Sequence, residues 1–121
     1  MAVIALQLAP DATTALEEIR STSREGPVLV LKKSSICSIS SRAEQQFSRF
    51  ISSLPEERTV HIVILDVLDQ KELARGLTTG LGIPHASPQA LLFAAGDLRW
   101  HASHGNLTTN EFTEQLAALE S

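Results

Sequence analysis

An unbroken apolar run leads through a short polar stretch to the only cysteine of the chain. Residues 28–41 read VLVLKKSSICSISS. The first four are apolar on successive positions and rich in β-branched side chains, which is typical of a strand covered on both faces in a parallel sheet. Ser34 and Ser35 then offer hydroxyl caps for a helix, with Cys37 expected in its first turn. The stretch therefore predicts a strand followed by a helix that begins at a thiol.

A thiol at the start of a helix lies beside unpaired backbone N–H groups and the positive end of the helix dipole. Both favour the thiolate over the thiol, so Cys37 is predicted to be a reactive nucleophile. The alternative is that Cys37 is a small buried hydrophobe, as free cysteines often are. The polar residues before it and its place at a helix start argue against burial.

The remaining patterns predict the order strand, helix, strand, helix, strand, helix, hairpin, helix. Strands are predicted at residues 3–9, 28–32, 60–65 and 90–95, and a turn at Gly96 and Asp97 leads into the second hairpin strand. Helix starts are predicted at Asp11, at Ser34 or Ser35, at Asp66 or Asp69, and at Thr108, which forms a capping box with Glu111. Helix ends are predicted near Ser23, at Pro55, and at Gly80 or Gly82. Alternating strands and helices closed by a hairpin predict an α/β fold, a mixed central sheet of four to five strands flanked by helices. At 121 residues, a single domain over residues 1–121 is expected.

Charge and cysteine content exclude several classes of function. The formal net charge is −4 and the basic residues are scattered, which argues against a nucleic-acid partner. The opening MAVIALQLAP has no basic leader and is too short to cross a membrane, so neither a membrane partner nor export is expected and the chain is predicted to be cytoplasmic. One cysteine allows no internal disulfide. Nothing in the sequence specifies an oligomeric state.

A strand, a cysteine at the next helix start and an X-Pro before an antiparallel strand together resemble the thioredoxin fold. Ser87-Pro88 is then the candidate cis-proline bond, although cis is the minority state for X-Pro bonds in general. In proteins of this fold, that loop faces the active cysteine and offers backbone groups to the substrate. The resemblance therefore implies that Ser87 and Pro88 lie near Cys37.

The sequence further resembles the monothiol bacilliredoxin family, whose motif is Thr-Cys-Pro-Ile-Ser. Here the motif reads Ile36-Cys37-Ser38-Ile39-Ser40, so Ile36 and Ser38 depart from it. A second signature fits better, and the residues that carry it are His85, Ser87, Pro88, Gln89, Gly96, Trp100, Ser103 and His104. The similarity is strongest over residues 28–106.

The resemblance implies a monothiol thiol-disulfide oxidoreductase that removes bacillithiol from mixed disulfides on client proteins through Cys37. Ser40 occupies the position where a dithiol enzyme carries its resolving cysteine, so another thiol must complete the cycle. The implied partners are S-thiolated client proteins and a low-molecular-weight thiol as co-substrate, with no bound cofactor. His85, Ser87, Pro88, Trp100 and His104 are expected to bind substrate or shape the site beside Ser40.

Several of these residues have a second interpretation. Ser40 is either a hydrogen-bond donor to the thiolate or an ordinary first-turn serine. A lone aromatic at the end of a hairpin strand, such as Trp100, is usually core or rim packing. Lys32 and Lys33 either raise the local positive potential or are simply solvated. His85, His101 and His104 with Cys37 have no fixed metal-ligand spacing, so no metal is expected.

A different class of function also fits the sequence. The departures at Ile36 and Ser38 favour a non-catalytic thioredoxin-fold stress or interaction protein, or a sensor that becomes thiolated at its cysteine.

Overall fold

The computed structural model describes residues 3–55 and 58–119, and within them the elements follow the predicted order. The strands are β1 (Val3–Ala5), β2 (Val28–Lys33), β3 (Val60–Asp66), β4 (Gln89–Ala94) and β5 (Asp97–Ser103). The helices are α1 (Ala12–Ser23), α2 (Ser38–Ser52), α3 (Lys71–Leu81) and α4 (Thr109–Ala118), and a 3-10 turn at His104–Asn106 precedes α4. None of the helices in these ranges is both long enough and apolar enough to span a membrane.

The strands form one mixed sheet in the order β1-β3-β2-β4-β5. Strands β1, β3 and β2 are parallel, while β4 pairs antiparallel with both β2 and β5. The prediction of a mixed α/β sheet is therefore confirmed. Strand β2 lies at the centre and is buried from Val28 to Lys32, as its continuous apolar run predicts.

Each face of the sheet packs against two helices. On one face, Leu29, Leu31 and Leu92 meet apolar side chains of α2 and α4. On the other, Val28, Val30 and Leu91 meet those of α1 and α3. The alternation of β2 side chains between the two faces explains why this strand is apolar on successive residues.

The predicted caps of the first and last helices are present. The Asp11 carboxylate accepts a hydrogen bond from the Thr14 N–H at 2.9 Å. The Thr108 hydroxyl accepts one from the Glu111 N–H at 3.1 Å. Each cap satisfies a backbone donor that the first turn leaves unpaired.

The start of α3 was predicted wrongly. Its N-cap residue is Gln70, not Asp66 or Asp69, and its side chain makes no cap bond. The Asp66 carboxylate instead accepts from the Leu68 N–H at 2.9 Å, which closes a turn before the helix. The predicted end is confirmed at Gly82, whose φ of 71° is the left-handed conformation typical of a helix terminus.

The first strand and the hairpin differ from prediction at their ends. Strand β1 covers only Val3–Ala5 of the predicted residues 3–9. The two turn residues of the hairpin are Ala95 and Gly96, both with positive φ, and Asp97 already belongs to β5. Positive φ at both turn positions is the geometry that matches the twist of a hairpin.

Candidate active site

One end of the sheet collects nearly all of the predicted site residues. The segment after β2 carries Cys37, and the segment 84–88 leads into β4. Because β4 is antiparallel to both of its neighbours, this segment lies at the same end of the sheet as the end of β2 and the end of β5. The register pairs Lys32 with Gln89 and Gln89 with Ser103.

Cys37 is the N-cap residue of α2, not a member of its first turn. The prediction that Ser34 or Ser35 caps this helix is wrong, because the chain first makes a turn in which the Cys37 N–H donates to the Ser34 carbonyl at 3.3 Å. The Cys37 carbonyl accepts the first helical bond, from the Ser41 N–H at 3.1 Å. The thiol is partly exposed and unpaired, so the buried interpretation is excluded.

Backbone donors of the first helical turn stabilise the thiolate of Cys37. The Ser40 N–H has the largest effect in lowering the pKa of this thiol, the Ile39 N–H comes next, and the Ser40 hydroxyl adds a smaller contribution. Partial burial opposes them without reversing the direction. These backbone donors favour the thiolate, the form of cysteine that acts as a nucleophile.

Ser40 is fully buried and has a definite structural task. Its hydroxyl oxygen accepts a hydrogen bond from the Ser34 N–H at 3.0 Å, which ties the loop before the helix to the helix itself. The same hydroxyl makes the smallest of the contributions that lower the pKa of the Cys37 thiol. Ser40 therefore holds the loop that presents the thiol, and the description of an ordinary first-turn serine does not fit.

The Ser87-Pro88 peptide bond is cis, as the resemblance implied. The Pro88 carbonyl accepts a hydrogen bond from the His104 N–H at 3.0 Å, which links this segment to the end of β5. The Ser87 hydroxyl oxygen is buried, and no described residue bonds to it. The His104 ring is exposed and lies 3.1 Å from the Ser103 hydroxyl, so both residues lie at the same end of the sheet as Cys37.

Trp100 does not join them. It pairs with Leu92 in the middle of β5 and packs edge-on against Phe112, with ring centroids 5.9 Å apart. This indole belongs to the core on the α2 and α4 face. The contacts of Trp100 are therefore those of a packing residue. None of the contacts described for it supports a role in shaping the site.

A buried polar cluster beside the cis bond was missed by the sequence analysis. Lys32 is 0% exposed, so of the two interpretations of this residue the solvated one is wrong. Its Nζ lies 2.7 Å from His85 Nδ1 and 2.8 Å from Gln89 Oε1. The only available signal was the position of Lys32 inside an otherwise buried strand.

Three exposed apolar side chains lie at the same end of the sheet as Cys37. Ile36 is 83% exposed, Ile39 is 50% exposed, and Leu68, in the turn after β3, is 52% exposed. The Val67 N–H donates to the Lys33 carbonyl at 2.8 Å, which fixes that turn at the same end of the sheet. Ile36, Ile39 and Leu68 are together called the apolar rim of this end of the sheet.

Metal-ligand side chains are not grouped at this end. Within residues 3–55 and 58–119, no three side chains of the His, Cys, Asp and Glu types are close enough to hold one ion.

The fold, with a single cysteine at a helix start and a cis-proline bond at the same end of the sheet, defines a thioredoxin-fold protein with one thiol. The chain matches the family model described as monothiol bacilliredoxin BrxC over residues 11–112. That match covers most of the sequence, so the chain belongs to the monothiol bacilliredoxin family.

Solved structures support the fold assignment. A proposed oxidoreductase with a thioredoxin fold is 24% identical at a TM-score of 0.71, over 94% of this chain and 93% of that one. Thioredoxin f from spinach chloroplast, in its long form, is 15% identical at a TM-score of 0.66, over 99% and 88%. The thioredoxin of Fasciola hepatica is 14% identical at a TM-score of 0.62, over 98% of both chains.

The departure from the family motif at Ser38 is expected to be structurally harmless, and Ser38→Pro should stabilise the protein. Ser38 is the first residue of α2, where proline is favoured, and Cys37 before it has φ −106° and ψ 127°, values that suit a residue preceding proline. A gain of about 0.4 to 1 kcal/mol in the free energy of unfolding is expected from urea titration. The pKa of Cys37 should stay lowered, because its backbone donors are Ser40 and Ile39. A loss of stability would show that the Ser38 N–H has a partner that proline removes.

The buried Lys32 predicts an unusual pH dependence of stability. Burial, and secondly the positive charge of Arg75, lower the pKa of Lys32 from 10.5 to about 8. Between these two values the unfolded chain binds more protons than the folded one, so stability rises with pH across this window. Relative to Lys32→Met, the native protein should gain up to roughly 3 kcal/mol between pH 8 and pH 10.5 in urea unfolding. If the free energy of unfolding changed with pH in the same way in both proteins, the lowered pKa of the buried Lys32 would be contradicted.

Proposed function

We propose that this chain is a monothiol oxidoreductase that removes bacillithiol, or a related low-molecular-weight thiol, from mixed disulfides on client proteins. The observation that supports it most is the partly exposed thiol of Cys37 at the start of α2, with its lowered pKa. It lies at the same end of the sheet as the cis Ser87-Pro88 bond. A thiolate placed in this way is the attacking group that thiol-disulfide exchange requires.

The reaction conserves electrons at each step. The Cys37 thiolate attacks the bacillithiol sulfur of the mixed disulfide, a new disulfide forms between Cys37 and bacillithiol, and the client leaves as a thiolate. A second thiol then attacks the bacillithiol sulfur and releases Cys37 as a thiolate. The product is a disulfide between bacillithiol and that second thiol.

The second thiol must come from another molecule. Cys37 is the only cysteine of the chain, and Ser40 stands three residues after it. A serine forms no disulfide, so Cys37 holds the adduct until a free low-molecular-weight thiol or a partner protein removes it. Neither step of this proposed reaction requires a metal or a nucleotide.

The surroundings of the thiol suit a protein client. The apolar rim of Ile36, Ile39 and Leu68 is the kind of exposed patch that marks contact with another protein. We propose that Ser87, Pro88, His85 and His104, at the same end of the sheet, contact the bound substrate. A reactive unpaired thiol also fits a reducing compartment such as the cytoplasm.

The experiment offers the purified protein a client carrying bacillithiol on one cysteine and weighs both species by intact-mass spectrometry. The proposal predicts that the client loses the mass of bacillithiol while this chain gains it. Addition of free bacillithiol should then return the chain to its reduced mass. A client that keeps its adduct would contradict the proposal.

The same experiment tests the second candidate function. The departures at Ile36 and Ser38 favour a non-catalytic interaction protein or a thiolation sensor. A sensor would gain bacillithiol from bacillithiol disulfide but take none from the client. An interaction protein would bind the client and leave both masses unchanged.

A further inference from the structure

A lysine occupies a buried position of the central strand where an apolar side chain is expected. Lys32 shares its face of β2 with Val28 and Val30, which belong to the core beneath α1 and α3. Its neighbours in the sheet are Leu65 on β3 and Gln89 on β4. Burial of a cation here costs several kcal/mol unless the ammonium is well bonded.

The partners of Lys32 carry no negative charge. Its Nζ donates to the neutral acceptors His85 Nδ1, at 2.7 Å, and Gln89 Oε1, at 2.8 Å. The ion pairs found in the described ranges, Arg20 with Asp97 and Lys33 with Glu44, do not include it. A structural ion pair therefore does not account for a lysine at this position.

The two partners flank the cis bond in sequence: His85 lies in the segment 84–88 and Gln89 is the first residue of β4. Gln89 Oε1 also accepts from the Ala86 N–H at 3.2 Å, and Gln89 Nε2 donates to the Pro84 carbonyl at 3.0 Å. Lys32 therefore connects β2, which continues to Cys37, with residues 84–89. These bonds surround Ser87 and Pro88 on both sides in sequence.

The contact also fixes the protonation of His85. An ammonium only donates hydrogen bonds, so Nδ1 is the unprotonated nitrogen and Nε2 carries the hydrogen. Burial, the charge of Lys32 and the charge of Arg75 on α3 all lower the pKa of the His85 imidazole, which keeps the ring neutral. One tautomer of His85 is therefore selected.

We propose that Lys32 is a positioning residue of the redox site, whose buried ammonium fixes the tautomer of His85 and holds the Ser87-Pro88 segment in place for a mixed-disulfide substrate. This role rests on the proposed function, because it concerns the seating of that substrate. It assigns Lys32 no contact with the thiol. Loss of the ammonium should therefore affect disulfide exchange more than simple alkylation of Cys37.

The test compares Lys32→Met with Lys33→Met. Lys33 is the next residue, and its Nζ pairs with Glu44 at 3.4 Å, outside the cluster. Nitrogen-15 NMR of the histidine rings should show the Nε2–H tautomer of His85 in the native protein and in Lys33→Met. In Lys32→Met the Nδ1–H form should become populated. An unchanged His85 spectrum in Lys32→Met would overturn the assignment.

Two reactions of Cys37 provide the second measurement. Iodoacetamide, a small neutral reagent, should alkylate Cys37 in both variants within about twofold of the native rate. Transfer from the bacillithiolated client should fall about tenfold or more in Lys32→Met alone, because a misplaced binding segment costs at least this much. Equal slowing of both reactions, or equal slowing in both variants, would overturn the positioning role.

Failure of the proposed function would look different. If the native protein takes no bacillithiol from the client, the proposed function is contradicted, while the His85 spectra still test the assignment of Lys32. Should Lys32→Met fail to fold, Lys32→Gln removes the charge with a shorter polar side chain and is subject to the same measurements.

Discussion

Cys37→Ser is expected to abolish transfer of bacillithiol to this chain while leaving the fold intact. A hydroxyl is a far weaker nucleophile than a thiolate at neutral pH and forms no disulfide, so no adduct can be held. Because Cys37 is the only cysteine, no second thiol can take its place. Intact-mass spectrometry after incubation with the bacillithiolated client should show neither a gain on the chain nor a loss from the client.

The same substitution should not reduce stability. Cys37 is the N-cap residue of α2, and serine is among the preferred residues at this position because its hydroxyl accepts from the same first-turn N–H groups that lower the pKa of the Cys37 thiol. The free energy of unfolding should therefore stay equal or rise by about 1 kcal/mol or less. An adduct on Cys37→Ser, or release of the client thiol by it, would show that the chemistry does not pass through this sulfur.

Phe112→Ala is expected to cause the largest loss of stability of the substitutions considered. The Phe112 ring is 1% exposed and contacts Phe47, Phe50 and Trp100, with ring centroids 5.6, 5.6 and 5.9 Å away. Removing it leaves a cavity between α2, α4 and the sheet and should cost about 3 to 5 kcal/mol in urea unfolding. This is a large share of the stability of a typical domain, roughly 5 to 15 kcal/mol.

Glu114→Ala is the matched control on the same helix. Glu114 is exposed and two residues further along α4, so the change should stay within about 0.5 kcal/mol. If Phe112→Ala cost no more than its control, the three aromatic contacts could not be the centre of this core. An altered rate of iodoacetamide reaction in Phe112→Ala, with the protein still folded, would mean that the core also influences the thiol.

The element order was predictable because the relevant signals are local. Continuous apolar runs identified β2 and β3 as interior strands, and hydroxyl or carboxylate caps placed the starts of α1 and α4. The start of α3 was not predictable in this way. Asp66 is a residue type that often caps helices, but its carboxylate accepts from the Leu68 N–H in the turn before the helix instead.

The thiol was predictable and its supporting contacts were not. A cysteine directly before an amphipathic helix predicts a stabilised thiolate. The resemblance predicted the cis bond at Ser87-Pro88. The buried contacts of Lys32 were not predictable, because its partners His85 and Gln89 lie 53 and 57 residues away in the sequence. Such long-range pairing is set by the sheet register, which no local pattern contains.

The most direct test of the redox site is the rate at which iodoacetamide alkylates Cys37 as a function of pH. With one cysteine in the chain, the whole signal comes from this sulfur. Because the Ser40 and Ile39 N–H groups stabilise the thiolate, the midpoint of the profile should lie clearly below the free-thiol pKa of about 8.5. A midpoint at or above that value would mean that the start of α2 does not activate the sulfur, and would contradict a monothiol redox site at Cys37.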